Sequence, residues 1–313
     1  MKKPVIIGLV TMIVGLILAV VALGHSGLQT VYWDSGFKVE SQKNNSKTYQ
    51  KTFGTNVKQI EFTADNTIEI RSGDVSKTQV SYTTGTKVQK NGDILTVDSP
   101  NRHHIWRVGI NIDSEDDDQG RTIITLPRKA KLTRISGRNN DELFVRDLSL
   151  KDFQLSGQAD LDMQDVKVAS DLNLKGSGGD STLTRVSAPS VSQDTLGGDI
   201  DYQNCRFVDN HSYLSSAGGD ISISNNQFKD VSINVQGGDF SFRNNRILKR
   251  LSAKSAGGDI DGQVLNRQQS RVAVSAEGGD VELFGQSNHS WNMDKKKAVS
   301  YHLSSEGGDV TIE

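Results

Sequence analysis

From about residue 132 to the C-terminus, short runs of alternating apolar and polar residues are separated by the same few letters. Seven segments repeat two glycines, an aspartate and an alternating tetrad: GSGGDSTL, TLGGDIDY, SAGGDISI, VQGGDFSF, SAGGDIDG, AEGGDVEL and SEGGDVTI. Their aspartates are Asp180, Asp199, Asp220, Asp239, Asp259, Asp280 and Asp309. The interval is about 20 residues except between the last two, and such a period is typical of stacked structural repeats.

The flanks of each aspartate alternate with the period of a β-strand. Positions one and three residues after the aspartate are apolar in six of the seven units, and positions six and eight before it are mostly apolar. This pattern predicts strands with one face inward, joined by a Gly-Gly-Asp corner. Asn204, Asn225 and Asn244 predict a second corner, because asparagine tolerates a left-handed backbone and can form ladders between stacked coils.

Two degenerate copies, around Asp141 and Asp160, extend the series to about nine units between Leu132 and the C-terminus. No single unit can bury its apolar positions, but stacked units bury them as continuous stripes. The sequence therefore predicts an all-β fold, a β-solenoid of about nine coils of about 20 residues each with Gly-Gly-Asp corners.

The Gly-Gly-Asp segment allows three interpretations. The favoured one is architectural: glycine supplies a positive φ and aspartate accepts backbone N–H groups in an Asx-type turn. A phosphate-binding loop would require a helix after the glycines, whereas apolar alternation continues here. Weak calcium binding along stacked aspartates stays open, although the calcium-binding β-roll repeats at a much shorter period.

The N-terminal segment has a different composition. Lys2 and Lys3 precede 19 uncharged residues from Val5 to Leu23, enough to span a bilayer with the N-terminus in the cytoplasm. A cleaved signal peptide with Ala22 and Gly24 at its cleavage site is the alternative. The predicted organisation is a transmembrane helix (1–24), a polar stalk (25–52), a β region that starts or caps the solenoid (53–131), and the repeat solenoid (132–313).

Composition limits the chemistry. The formal net charge of −2 gives no global electrostatic footprint for nucleic acid. Cys205 is the only cysteine, so no intrachain disulfide or thiolate metal cluster can form, and its place beside Asn204 predicts a small packed residue. No cofactor is expected.

Two further groups of polar residues were considered as sites. The acidic segment DSEDDDQG, with Asp113 and Glu115 to Asp118, lacks the ligand spacing of a calcium-binding helix–loop–helix and is interpreted as a solvated hairpin tip, with a metal site as the alternative. His103 and His104 are adjacent on a predicted strand and face opposite sides, so they are interpreted as surface residues. No unit carries a distinctive His, Arg or Lys cluster beside its aspartate, so the sequence predicts a protein that is not an enzyme.

The long interval between Asp280 and Asp309 contains GQSNHSWNMDKKKA. Insertions in repeat proteins emerge as loops on one face, often the binding face. A capping excursion is the first interpretation. The second is a contact loop formed by Trp291, Lys295, Lys296 and Lys297, which would bind anionic wall polymers or lipid headgroups.

The order of the motifs resembles a known bacterial family. A V-x-x-I-x-F strand at Val57, the strands VSY, LTV and ITLP, and then the Gly-Gly-Asp repeats follow an N-terminal apolar segment. This arrangement is similar to the "putative adhesin" β-strand-repeat family, domain of unknown function 4097, and to its LiaG-like membrane-anchored members in envelope-stress operons of Gram-positive bacteria. The resemblance covers Val57 to Glu313 and implies a surface-exposed β-solenoid without catalytic activity; it carries no binding residues over.

Two classes of function follow from the sequence and the resemblance. The favoured one is a single-pass cell-membrane protein with an extracellular solenoid that binds or senses at the cell envelope, with wall polymers or envelope-stress membrane proteins as partners. The alternative is a carbohydrate-active enzyme or glycan-binding module that acts on wall polymers.

Overall fold

The structure is a computed structural model of the 313-residue chain. It describes residues 31–33, 37–39, 47–99, 121–176, 178–294 and 299–313. The chain divides into two compact units, Met1–Lys47 with Arg102–Gln119, and Thr48–Asn101 with Gly120–Glu313. In the first unit, the described residues form an antiparallel pair of strands, β1 (Val31–Trp33) and β2 (Phe37–Val39).

The second unit consists of two large sheets. Within the described residues, sheet 1 has 13 strands. They are β3 (Thr48–Phe53), β5 (Ile68–Gly73), β6 (Thr78–Thr83), β9 (Thr122–Pro127), β11 (Glu142–Arg146), β13 (Asp160–Gln164), β16 (Ser181–Thr184), β19 (Ile200–Gln203), β21 (Ile221–Ser224), β23 (Phe240–Arg243), β25 (Ile260–Gly262), β27 (Val281–Leu283) and β30 (Val310–Ile312).

Sheet 2 has 15 strands in the same described ranges. They are β4 (Gln59–Ala64), β7 (Lys87–Asn91), β8 (Ile94–Ser99), β10 (Leu132–Asn139), β12 (Ser149–Gly157), β14 (Lys167–Val168), β15 (Leu172–Gly176), β17 (Ser187–Ala188), β18 (Val191–Thr195), β20 (Arg206–Ser216), β22 (Gln227–Val235), β24 (Arg246–Ser255), β26 (Ser270–Ala276), β28 (Ser290–Trp291) and β29 (Val299–Ser305). A short 3₁₀ helix covers Arg267–Gln269.

Each coil contributes one segment to each sheet, with the Gly-Gly-Asp corner between them. In one coil, β20 leads through Gly218, Gly219 and Asp220 into β21, and a second corner returns the chain to sheet 2. Neighbouring coils pair in parallel and in register, as the pairs Ile200 with Ile221 and Ile221 with Phe240 show. The alternating apolar residues of both sheets point inward and form one hydrophobic cluster, so the predicted all-β solenoid is confirmed.

Two exceptions in the apolar columns are compensated by their neighbours. Gln193 stands in an inward position and is 2% exposed, and its amide oxygen accepts a hydrogen bond from the buried Tyr202 hydroxyl. Gly262 leaves a space that is filled by the ring of Phe242, to which a Cβ at Gly262 would approach within 1.9 Å. The core therefore stays packed where the repeat departs from its pattern.

The interior coils follow one another in chain order, but the two ends do not. At the C-terminal end, β29 lies between β24 and β26, and β30 lies between β25 and β27. The last segment of the chain is therefore inserted between the two coils that precede it. The long interval before Asp309 gives the chain the length to pass the outermost coil and return.

The N-terminal end of the stack has the same arrangement. The segment β4–β5 is inserted between β8–β9, which lies further out, and β10–β11. Antiparallel strands cover both outer edges: β7 pairs with β8, β6 with β9 and β3 with β6 at one end, and β28 pairs with β26 at the other. A tight hairpin turn at Asn91-Gly92 joins β7 and β8, and Gly92 has a φ of 60°.

Several expectations about the N-terminal half fall on residues that are not described. Among the residues that the structure does describe, no helix is long and apolar enough to cross a membrane, and the predicted helix 1–24 lies outside them. Within the segment predicted as a stalk (25–52), the structure forms β1 and β2, and β3 begins at Thr48.

Candidate functional site

The aspartates of the Gly-Gly-Asp corners form a ladder along one edge of the stack. Each backbone N–H of an aspartate donates to the carboxylate Oδ1 of the aspartate in the preceding coil, at 2.7–2.9 Å. We call this row the Asp edge; in stacking order its members are Asp160, Asp180, Asp199, Asp220, Asp239, Asp259, Asp309 and Asp280. The architectural interpretation is thereby confirmed, but the bonds join neighbouring coils instead of closing an Asx-type turn.

The corner glycines are required for a reason other than the one predicted. None of the glycines in the seven Gly-Gly-Asp corners has a positive φ. The second glycine is instead pressed against the backbone of the neighbouring coil: a Cβ on Gly198 would lie 2.0 Å from the carbonyl oxygen of Gly179, and one on Gly238 would lie 2.5 Å from that of Gly219. The prediction of a positive φ was wrong, because the constraint lies between coils and is not visible in one repeat.

Small hydroxyl side chains complete this corner. The hydroxyl of Ser216 accepts a hydrogen bond from the N–H of Gly219 and donates to the carbonyl of Gly198 in the preceding coil. Ser305 bonds Gly308 and Gly258 in the same way. Ser216 and Ser305, each four positions before its aspartate, thus satisfy backbone groups that the tight corner would otherwise leave buried without partners.

Negative charge accumulates along the Asp edge without an obvious metal site. Burial, and then the charges of Asp259 and Asp239, raise the pKa of the nearby Asp261. Among the described residues, no group of three or more His, Cys, Asp or Glu side chains is arranged to hold a metal ion. The acidic segment with Asp113 and Glu115 to Asp118, and also His103 and His104, lie outside these residues.

The second corner is built on a left-handed residue, as predicted. Asn204, Asn225 and Asn244 have φ values of 58°, 57° and 55°. The amide ladder, however, is formed by the residues that follow two of them. The amide oxygens of Asn226 and Asn245 accept the N–H groups of Cys205 and Asn226, and their amide nitrogens donate to the carbonyls of Tyr202 and Ile223.

Cys205 follows Asn204 and occupies the position that Asn226 and Asn245 hold in the next two coils. Its thiol is buried and lies 3.3 Å from the carbonyl oxygen of Leu183. Burial raises the pKa of the Cys205 thiol to about 12. A thiol that is protonated at neutral pH and enclosed in the core is a packing residue, as the sequence indicated, and is not poised for nucleophilic chemistry.

A buried carboxylate marks a bulge in sheet 2. The Asp230 side chain is 8% exposed and contacts His211 (3.2 Å), Lys249 (3.5 Å) and Arg250 (3.2 Å). Burial opposes the ionised form, but the hydrogen bond and charge of Arg250, with those of His211, outweigh it and lower the pKa of Asp230. The pairing registers shift beside this residue, so the ionic cluster fixes an irregular part of the sheet.

Trp291, the aromatic residue of the predicted contact loop, packs on the end of the stack. Its ring makes an edge contact with Phe284 at 5.3 Å, and its indole nitrogen donates to the Arg267 carbonyl at 3.0 Å. The Arg267 guanidinium lies 4.4 Å from the centre of the Phe284 ring. We call Arg267, Phe284 and Trp291 the plug. Trp291 is therefore partly buried as a cap, while Lys295, Lys296 and Lys297 lie outside the described residues.

Arg267 and Phe284 were not identified from the sequence. The available signal was the repeat itself: Phe284 follows Asp280 at nearly the interval at which Asn244 follows Asp239, and it has the same left-handed backbone, with φ 56°. A large aromatic side chain at a left-handed position is uncommon and indicates a special environment.

Comparison with known proteins identifies a family. The family model described as Toastrack DUF4097 matches residues 57–313. No curated protein matches the chain significantly.

Solved structures share the architecture at low sequence identity. A protein named "putative adhesin" from Parabacteroides distasonis is 15% identical, with a TM-score of 0.50 over 85% of this chain and 98% of its own. One with the same name from Bacteroides fragilis is 16% identical, with a TM-score of 0.45 over 85% and 97%. A "putative lipid binding protein" from P. distasonis is 13% identical, with a TM-score of 0.45 over 87% and 98%. At this identity the first of these supports the fold alone.

Proposed function

The chain belongs to the Toastrack DUF4097 family, and from that premise we propose that it is a membrane-anchored binding protein of the cell envelope without catalytic activity. Val5 to Leu23 would anchor it, with Lys2 and Lys3 in the cytoplasm and the solenoid outside the cell. Wall polymers are the proposed ligands, and a role beside membrane proteins of envelope-stress signalling is the wider hypothesis.

The observation that carries the binding role is the repetition of outward side chains. Because coils pair in register, one outward row of sheet 2 holds Ser192, Tyr213, Ser232 and Ser252. Neighbouring strands are about 4.8 Å apart, so such a row offers similar groups at regular intervals. This geometry suits a polymer with repeated groups better than a single small substrate. The adhesin name of the P. distasonis protein of the same fold agrees with this role as a hypothesis.

Two measurements test the proposal. The full-length protein, purified in detergent, is incubated with isolated cell walls, and both retention and release of soluble fragments are measured. Retention without turnover is expected. Release of wall fragments would support the alternative, a carbohydrate-active enzyme, and the absence of both would contradict a wall-binding role.

Topology is tested separately on intact cells. External protease should cut in the proposed stalk, Ser26 to Lys51, before β3 begins at Thr48, and release a compact fragment while a short stub stays in the membrane. Protection of the whole chain until lysis would contradict the extracellular location. Release of the solenoid without protease would instead indicate a cleaved signal peptide.

A further inference from the structure

The edge of the stack opposite the Asp edge carries a regular column of cations. Six residues follow one another in register on adjacent strands of sheet 2: Ser149, Lys167, Ser187, Arg206, Gln227 and Arg246. Every second residue from Lys167 onward is basic. At about 4.8 Å per strand, Lys167, Arg206 and Arg246 recur at about 9.6 Å and span about 19 Å. We call these three residues the basic column.

Within the described residues, no ion pair neutralises the charges of the basic column. All three side chains are exposed, and none is paired with a carboxylate of the described residues. The Arg206 guanidinium donates to the amide oxygen of Gln227, which carries no charge. Other arginines near this edge are paired: Arg134 with Asp152, Arg146 with Asp162, Arg185 with Asp165, and Arg250 with Asp230. The column is therefore a local concentration of unneutralised positive charge.

A shallow groove runs beside the column and crosses three coils. Its walls include Lys167 and Ala169 from one coil, Ser187 and Pro189 from the next, and Arg206 and Val208 from the third, with the exposed Asp209 as the one carboxylate of the lining. The strands β14 and β17 are only two residues long here, which leaves the surface of sheet 2 uneven. The groove and the cations thus share one direction, along the stacking axis.

We propose that the basic column binds a linear polyanion, which lies along the stack with its anionic groups at Lys167, Arg206 and Arg246. The Asp edge repels such a chain, so the two edges together select one side of the stack. This inference rests on the proposed wall-binding function and names the surface and the ligand class: an unbranched polymer with repeated negative groups. Exposed cations gain little from single ions in water, but repeated contacts along one chain add up.

The test uses the full-length protein in detergent and fluorescent inorganic polyphosphate of graded length. The column variant is Lys167→Gln, Arg206→Gln and Arg246→Gln. The matched control, Lys77→Gln, Lys87→Gln and Lys131→Gln, removes the same charge from exposed residues on the N-terminal part of the unit that form no ion pair within the described residues. We expect the column variant to lose about tenfold or more in affinity, the control to change by less than about twofold, and binding to weaken with added salt.

Chain length gives a second readout. Polyphosphate shorter than about 19 Å should bind more weakly than longer chains, because it cannot reach all three cations. Thermal melting of each variant checks the fold, and the single variant Arg206→Gln replaces the triple if that one does not fold. Equal loss in the column and control variants, or no loss in either, would overturn the proposal. Binding to vesicles of anionic lipid but not to polyphosphate would also overturn it, in favour of a membrane surface.

Isolated cell walls separate this inference from the proposed function. If the wild type and the column variant bind walls equally, the wall-binding function stands and the basic column is not its site. If the wild type binds polyphosphate through the column but does not bind walls, the column proposal stands and the proposed function is contradicted.

Discussion

The interior of the stack and its two ends obey different rules. In the interior, from Asp160 to Asp259, coil order follows chain order and all pairing is parallel. At the N-terminal end, β4–β5 lies inside β8–β9, which follows it in the chain. At the C-terminal end, β29–β30 lies inside β26–β27, which precedes it in the chain. The repeat pattern thus specifies the shape of a coil but not which coil lies beside it.

The arrangement of the ends has a physical rationale. An edge strand exposes unpaired backbone groups. Insertion gives β29 and β30 a partner strand on each side. The antiparallel strands β7 and β28 then cover part of each edge.

The largest effect is expected from removing the inserted segment. Deletion of Val299–Glu313 takes β29 and β30 out of the middle of both sheets and exposes strands on either side of the gap. We expect a loss of more than about 4 kcal/mol in the free energy of unfolding, measured by denaturant melting of the full-length chain. If the coils of Asp259 and Asp280 close directly on one another, stability will change little, and insertion is then unimportant for the end.

The first and second glycines of the Gly-Gly-Asp corners should respond differently, which tests the tight packing of the interior. Gly238→Ala, at a second glycine, places a Cβ 2.5 Å from backbone and carboxylate oxygens of the preceding coil, whereas a Cβ at Gly197, a first glycine, meets nothing within 4 Å. We expect a loss of about 3 kcal/mol for Gly238→Ala, and a change within about 0.5 kcal/mol for Gly197→Ala. Equal effects in thermal melting would contradict the close approach of the coils.

The plug at the C-terminal end should matter less than the interior. Trp291→Ala removes the contact with Phe284 and the hydrogen bond to Arg267, but the side chain is only partly buried. We expect a loss of about 2 kcal/mol, less than for a fully buried tryptophan. Trp291→Phe keeps the aromatic contact and is the matched control. A loss no larger for alanine than for phenylalanine would show that the ring does not cap the stack.

The smallest effect concerns pH and the bulge at Asp230. Because the pKa of Asp230 is lowered in the folded state, its ion pairs contribute stability above the unfolded pKa, and this contribution is lost as the pH falls through the folded pKa. Asp230→Asn should therefore reduce the difference in stability between neutral pH and the region below about pH 4. Asp194, an exposed residue that forms no ion pair within the described residues, is the control site, and an equal change for Asp194→Asn would contradict a special role for Asp230.

Much of the interior could be predicted by comparing the repeats with one another. The inward apolar positions, the small residues before the glycines and the asparagines of the second corner each recur from unit to unit. The close contact of Gly238 with the preceding coil could not be predicted, because it depends on the distance between coils. The order of the ends could not either: Val274 and Leu303 occupy equivalent inward positions, so both orders fill the same apolar column. The basic column could have been predicted from the sequence, because its three residues all lie seven positions after an aspartate of the repeat.

A pair of engineered cysteines tests the inserted end most directly. Lys254 is in register with Ser304 on the adjacent strand, and Ser275 lies one strand further out. Adjacent strands are close enough for a disulfide, whereas a separation of about 9.6 Å is too long. On oxidation, Lys254→Cys with Ser304→Cys should form an intrachain disulfide, and Lys254→Cys with Ser275→Cys should not; Cys205, which is buried, can stay. The reverse result would show that the coils stack in chain order and would contradict the inserted C-terminal segment.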